Sequence, residues 1–228
     1  MALYDSWRPS FPPGKRAEEI VLRLDRAREP RLLVLPPLFD EHNKTRHQCV
    51  ETMRKLDEAG VDSFLPDLPG CNESVAPLES QSLTLWREAA REALTLFRCS
   101  HVLAIRGGAL LAPPHTPAFL YAPAQGKPLL RAMLRARTIA AREAGSEEKA
   151  ETLLVQGREE GLELAGWQLG AAMIRELEAA EPTIGPDTRI IEQVELGGSP
   201  LWLRAEPDND PQQAEALARI VAAGMPGS

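Results

Sequence analysis

The sequence predicts an α/β fold, a doubly wound, mostly parallel sheet with helices on both faces. Three observations predict it. Short apolar runs alternate with amphipathic helical stretches along most of the chain. Two of those runs, Arg31 to Leu35 (RLLVL) and His101 to Ile105 (HVLAI), are continuous rather than alternating, as strands buried on both faces require. The second run leads straight into the small residues Gly107, Gly108 and Ala109, which suit a tight strand-to-helix turn.

The elements follow in order. The Pro-containing stretch from Arg8 to Lys15 reads as an extended arm, and Glu19 to Leu24 as a first strand. Arg31 to Leu35 is the next strand, stopped by Pro36 and Pro37. A loop from Leu38 to Asn43 precedes a helix from Lys44 to Ala59, which Gly60 ends. Val61 to Pro66 is a strand and is followed by a turn-rich segment, Asp67 to Asn72. One long helix from Leu78 to Phe97 leads to the strand His101 to Ile105, and Ala118 to Tyr121 is a short strand. Helices are predicted over Lys127 to Glu143 and Leu169 to Ala180, with the charged stretch Gly145 to Gly161 a solvated helix or a flap. Arg189 to Leu196 and Leu201 to Ala205 read as strands joined through Gly197 and Gly198, and Pro211 to Ala223 as the last helix. A chain of 228 residues with this pattern is expected to form one domain, with about 127–165 a helical insertion or flap.

Composition narrows the partners. A net charge of −7 argues against nucleic acid, which asks for a basic surface. No apolar run is long enough to span a membrane, and the first residues lack the pattern of a signal peptide. The three cysteines, Cys49, Cys71 and Cys99, are too few and too scattered for a disulfide framework. A cytoplasmic location is expected. No motif calls for a cofactor or a metal: His42 and His47 are five apart and share no helix face, and there is no Cys-x-x-Cys.

The turn after HVLAI carries the most information. Its layout, Ala104-Ile105-Arg106-Gly107-Gly108, is that of an α/β-hydrolase nucleophile elbow: small, any, nucleophile, any, small. The nucleophile's place is taken by Arg106. A guanidinium stays protonated at any reachable pH and cannot attack a carbonyl. Two further segments bear on the site. Asp67-Leu68-Pro69-Gly70-Cys71-Asn72-Glu73-Ser74 is similar to the Asp-x-Pro-Gly-x-Gly-x-Ser turn of many α/β-hydrolases. Turn chemistry alone also explains Pro69 and Gly70. Pro36 to Arg46 occupies the loop that supplies an oxyanion-hole amide, with Leu38 the donor, and Gly107 at the elbow is expected to contact the ligand. Asn43, Lys44 and Arg46 either receive an anion at a helix start, with Lys44 beside Arg106, or are an N-cap followed by solvated charges.

Together these segments resemble the exosortase A system-associated hydrolases, in particular the group called hydrolase 2. The resemblance runs from about Arg31 to Trp202. It rests on Pro36 to Arg46, Asp67 to Ser74, Ala104 to Ala112, Tyr121 to Pro123 with Leu129 to Arg137, and Leu162 to Leu169. The chain departs from the family pattern at Asn72 and Ala104, where that pattern has glycine, and in a shortened N-terminal region. The resemblance implies an α/β-hydrolase-like fold and a link to the PEP-CTERM/exosortase sorting system and exopolysaccharide production. It also implies that arginine at the elbow is a family feature.

An α/β-hydrolase needs a serine, then an acid, then a late histidine. The histidines are His42, His47, His101 and His115, and none follows the last predicted strand. Glu206 to Asp210 stand there instead, and Glu195 stands at the expected acid position. Glu206 could face Arg106, while Asp210 before Pro211 suits a helix cap. Three readings follow. The first is a catalytically silent protein that binds an anionic ligand, a carboxylate, phosphate or acidic sugar, at Arg106. The second is an ester or thioester hydrolase in which Cys71, with His42 or His115 as base, or a water held by Glu206 or Glu41, attacks the acyl group. The third is a scaffold subunit that forms a homodimer or partner complex through Lys127 to Gly161. The arginines at 131, 135, 137 and 142 are either a solvated face or a lining for an acidic polymer.

Overall fold

A computed structural model describes residues 3–10 and 18–225 of the chain. Nine strands form a seven-stranded sheet and a separate hairpin among these residues. The strands are β1 (Leu3–Trp7), β2 (Glu19–Leu24), β3 (Arg31–Leu35), β4 (Asp62–Pro66), β5 (His101–Ile105), β6 (Ala118–Tyr121), β7 (Leu162–Leu164), β8 (Trp167–Leu169) and β9 (Thr188–Ile191). The large sheet runs β1-β2-β4-β3-β5-β6-β9. β1 and β2 pair antiparallel, as do β2 and β4, and the pairings from β4 through to β9 are parallel.

The apolar runs set this arrangement. Every residue of β4, β5 and β6 is buried, and β3 is buried from Leu32 onward. Their side chains alternate between two cores. Leu33, Leu35, Phe64, Val102, Ala104 and Leu120 face one, and Leu32, Val34, Leu65, Leu103, Ile105 and Tyr121 face the other. The helices are α1 (Asp40–Glu58), α2 (Leu83–Leu96), α3 (Gly126–Glu143), α4 (Ala150–Glu160), α5 (Ala171–Ala179), α6 (Gln193–Leu196) and α7 (Pro211–Gly224). The first core is covered by α2, α3, α4 and α5 and the second by α1 and α7. Burying a leucine such as Leu32 or Leu33 contributes about 2 kcal/mol, so the central strands dominate the fold's stability.

Several expectations are corrected. β1 is an additional edge strand with four of its five residues exposed, so it carries little apolar signal. Residues 11–15 of the expected arm lie outside the described residues. The helix expected from Lys44 starts at Asp40, and its N-cap is Phe39, not Asn43. Asp40 and Glu41 provide the first-turn acids that mark a helix start. The long helix expected from Leu78 divides into a 3₁₀ turn, Leu78–Ser80, and α2, because the Ser82 hydroxyl caps the amide of Leu85. The elbow opens into a 3₁₀ turn, Arg106–Leu111, rather than an α-helix. The strand expected to Leu196 ends at Ile191, since Glu192 and Glu195 form a capping box that starts α6. Leu201 to Ala205 is not a strand: after Pro200 it forms a 3₁₀ turn, Leu201–Leu203. Asp210 does cap α7, accepting hydrogen bonds from the amides of Gln212 and Gln213.

β4 lies on one side of β3 and β5 on the other. The connections therefore diverge at the C-terminal ends of β3 and β5, which is where a doubly wound sheet opens its crevice.

Candidate functional site

Arg106 follows the last residue of β5 and has φ +53°. A non-glycine residue held there is strained, and the surroundings must over-determine it. The next two residues must be small. A Cβ on Gly108 would lie 2.4 Å from the Leu35 carbonyl oxygen and 2.5 Å from that of Pro36. The elbow thus presses backbone to backbone on the end of β3. A Cβ on Gly107 would lie 3.1 Å from Leu38 Cγ, so the expected amide-donating loop and the elbow do meet. Among the described residues the Leu38 N–H has no hydrogen-bond partner.

The guanidinium of Arg106 is not free. Its Nε and Nη2 donate to the two carboxylate oxygens of Glu41 at 3.1 and 2.9 Å, and its Nη1 donates to the Ala122 carbonyl at 3.0 Å. Its Cζ lies over the Trp202 ring, 4.5 Å from the ring centroid. The two charged side chains are about four-fifths buried, at 20% and 18% exposure. The carboxylate facing Arg106 is therefore Glu41, from the first turn of α1, and not the late Glu206, which is exposed. The other basic groups are paired as well. Lys44 Nζ lies 2.9 Å from Asp40, and Arg46 lies 3.0 Å from Asp67. Asn43 points outward from α1 and caps nothing.

A second cluster lies beside the first, on α1 and the turn after β4. Arg46 Nη1 donates both to Asp67 Oδ1 and to His42 Nε2, each at 3.0 Å. Asn72 Nδ2 donates to Asp67 Oδ1 at 2.7 Å and approaches His42 Nε2 at 3.4 Å. Arginine can only donate, so His42 Nε2 is an acceptor and the ring proton sits on Nδ1, the side bonded to the Pro37 backbone. Burial and the Arg46 charge push His42 down to about 4. His42, Asn72 and Cys71 line a small cavity walled by Leu38, Phe39, Trp86 and Trp167. Its volume is about 10 Å³, room for one water at most. Phe39, with φ +57°, packs against Trp86 and Trp167 at centroid distances of 5.7 and 5.8 Å. Trp167 comes from the β7–β8 hairpin, whose turn is Ala165 and Gly166, both at positive φ.

Cys71 shares this cavity with His42, as a cysteine nucleophile would need, but its electrostatics run the wrong way. Burial, with the charges of Asp67 and Glu19 nearby, pushes the thiol up to about 12. A reactive cysteine needs cationic neighbours that lower it. His115 lies in the turn that leads into β6, at the opposite end of the sheet. Ser74 serves the turn: its hydroxyl accepts from the amides of Gly70 and Ala76 and donates to Glu19. Among the described residues no three His, Cys, Asp or Glu side chains gather as a metal site would require.

No protein-family model matches the chain, and no curated protein matches it. Solved structures do. A protein named as an inferred hydrolase from Agrobacterium vitis S4 superposes with a TM-score of 0.55 at 14% identity, covering 99% of each chain. Alpha/beta hydrolase domain-containing protein 10 from mouse gives 0.54 at 13% identity, over 96% of this chain and 97% of that one. The bottromycin epimerase BotH, solved in complex with bottromycin A2, gives 0.54 at 16% identity, over 97% and 99%. The chain has the α/β-hydrolase-like fold.

Arg106 stands directly after β5, in the turn where the sequence reading expects a nucleophile. Glu195, at the expected acid position, is spent on the α6 capping box and on Arg189. The loop after α6 that should bring a base carries Glu206 and Asp208 at the surface, the latter paired with Arg204. A serine and a histidine do touch at Ser100 Oγ and His101 Nδ1, 2.9 Å apart, but they lie at the N-terminal end of β5, away from the elbow. Sequence reasoning missed Trp202 as the platform under Arg106, having read its segment as a strand. It also passed over Glu41 as the partner of Arg106, although an acid in the first turn after the oxyanion loop was there to be weighed.

Proposed function

We propose that this chain is a non-hydrolytic α/β-hydrolase-like protein that binds an anionic group at its elbow. The observation that carries the reading is the paired geometry of Arg106 and Glu41 at the nucleophile position. A two-point arginine–carboxylate contact is the geometry by which proteins recognise carboxylates and phosphates. Glu41 then acts as an internal stand-in that an incoming carboxylate, phosphate or acidic sugar displaces. The unpartnered Leu38 amide supplies a further donor beside the elbow. That BotH is named an epimerase shows why the fold alone does not argue for hydrolysis. The motif resemblance from Arg31 to Trp202 supports placing the protein with the exosortase/PEP-CTERM exopolysaccharide system.

The test is a calorimetric panel of small carboxylates, phosphates and uronic acids. Arg106→Ala is expected to abolish binding, and Glu41→Gln to tighten it about tenfold by freeing the guanidinium. Fluorophosphonate probes are expected not to label the protein. Binding that survives Arg106→Ala overturns the reading. The alternative, an ester or thioester hydrolase using Cys71 or a held water, is favoured only by the shared cavity of Cys71 and His42. It predicts acyl-ester turnover that Cys71→Ala abolishes.

A further inference from the structure

We propose that two copies of this chain associate through α3 and α4, the basic outer face of one helix meeting the acidic outer face of the other. On α3, Arg135, Ile139 and Arg142 lie at helical spacing on the exposed side, and Ile139 is 49% exposed. On α4, Glu151, Val155 and Glu159 repeat the pattern with the opposite charge, and Val155 is 53% exposed. Each face is thus a β-branched apolar residue flanked along the helix mainly by charges of one sign, with Glu143 beside Ile139 and Arg158, which is paired with Glu178, beside Val155.

Two arginines beside these faces are already paired within the chain. Arg137 is bound to Glu148 at 2.7 Å and Arg158 to Glu178 at 2.6 Å. Arg135, Arg142, Glu151 and Glu159 form no ion pair among the described residues. The two helices are in contact, so the two faces lie on neighbouring elements. A second copy carries both signs and satisfies both faces. A two-fold arrangement makes the same contact twice: Ile139 on Val155, with Arg135 and Arg142 on Glu151 and Glu159.

The test is solution mass by light scattering at about 0.05 M salt, where exposed charges are little screened. The wild type is expected at twice the 25.0 kDa chain mass. Two charge-reversed variants, Arg135→Glu with Arg142→Glu, and Glu151→Lys with Glu159→Lys, are each expected to be monomeric with unchanged circular dichroism. Mixing them in equal amounts should restore the dimer, because each reversed face then meets its complement. Raising the salt to about 0.5 M should weaken the wild-type dimer at least tenfold. If either reversed variant fails to fold, Ile139→Asp gives the same reading from a single change. The proposal is overturned by a wild type that stays monomeric at about 100 μM, where interfaces of this kind associate. It is also overturned by reversed variants that remain dimers, or by a mixture that stays monomeric. A monomeric wild type that binds phosphatidylglycerol vesicles through α3 would assign the basic face to lipid instead.

Discussion

Acidifying the protein from about pH 7.5 to about pH 5 should destabilise it through His42. Burial and the Arg46 charge hold this imidazole at about 4 in the folded chain, against an ordinary value of 6.5. Between those values the unfolded chain binds a proton that the folded chain refuses. The stabilisation is therefore complete above the unfolded value and is lost as the pH falls towards the folded one. Over the whole window the loss approaches about 3 kcal/mol, at about 1.4 kcal/mol for each pH unit. By about pH 5 roughly 2 kcal/mol of it is gone. His42→Gln keeps an acceptor for Arg46 and removes the titrating group. Urea unfolding at both pH values should show the wild type losing about 2 kcal/mol more than the variant. Glu19, raised by its burial, contributes in the opposite direction, being most stabilising at low pH, but it does so equally in both proteins and cancels in the comparison. Equal pH dependence would refute the argument. So would a His42 ring resonance that titrates near its ordinary value, and it would reopen His42 as a base for Cys71.

Three other outcomes are expected. Gly108→Ala drives a methyl into the Leu35 and Pro36 carbonyls and should cost about 1–3 kcal/mol or more in thermal or urea unfolding; full stability would mean the elbow does not press on β3. A double-mutant cycle of Arg106→Met and Glu41→Gln should give a coupling of about 1–3 kcal/mol, and additive losses would mean the pair is not formed in solution. A thiol reagent at neutral pH should modify none of the three cysteines in the folded protein and all of them in urea, since burial pushes each thiol up to about 12; rapid reaction of Cys71 alone would revive it as a nucleophile.

The sequence by itself determined the parallel core. RLLVL and HVLAI are apolar without alternation, and only a strand covered on both faces accommodates that. It also determined the elbow, because Arg106 sits between a buried strand and two glycines, and the cap at Asp210, because capping is local chemistry. Elements with weak or divided signals were not legible. β1 exposes most of its side chains, and the segment around Trp202 has strand-like composition but no neighbour to pair with. What only the tertiary structure decided is the state of the charges. Arg106 meets Glu41 from 65 residues earlier in the chain, and Arg46 meets Asp67. Neither pairing has a periodicity or a turn to announce it. The first follows from the divergence of connections at the ends of β3 and β5, which sets the start of α1 beside the elbow, and the second from β4 lying next to β3. The identity of the elbow residue could be read from the chain, but the partner that holds its charge depends on strand order.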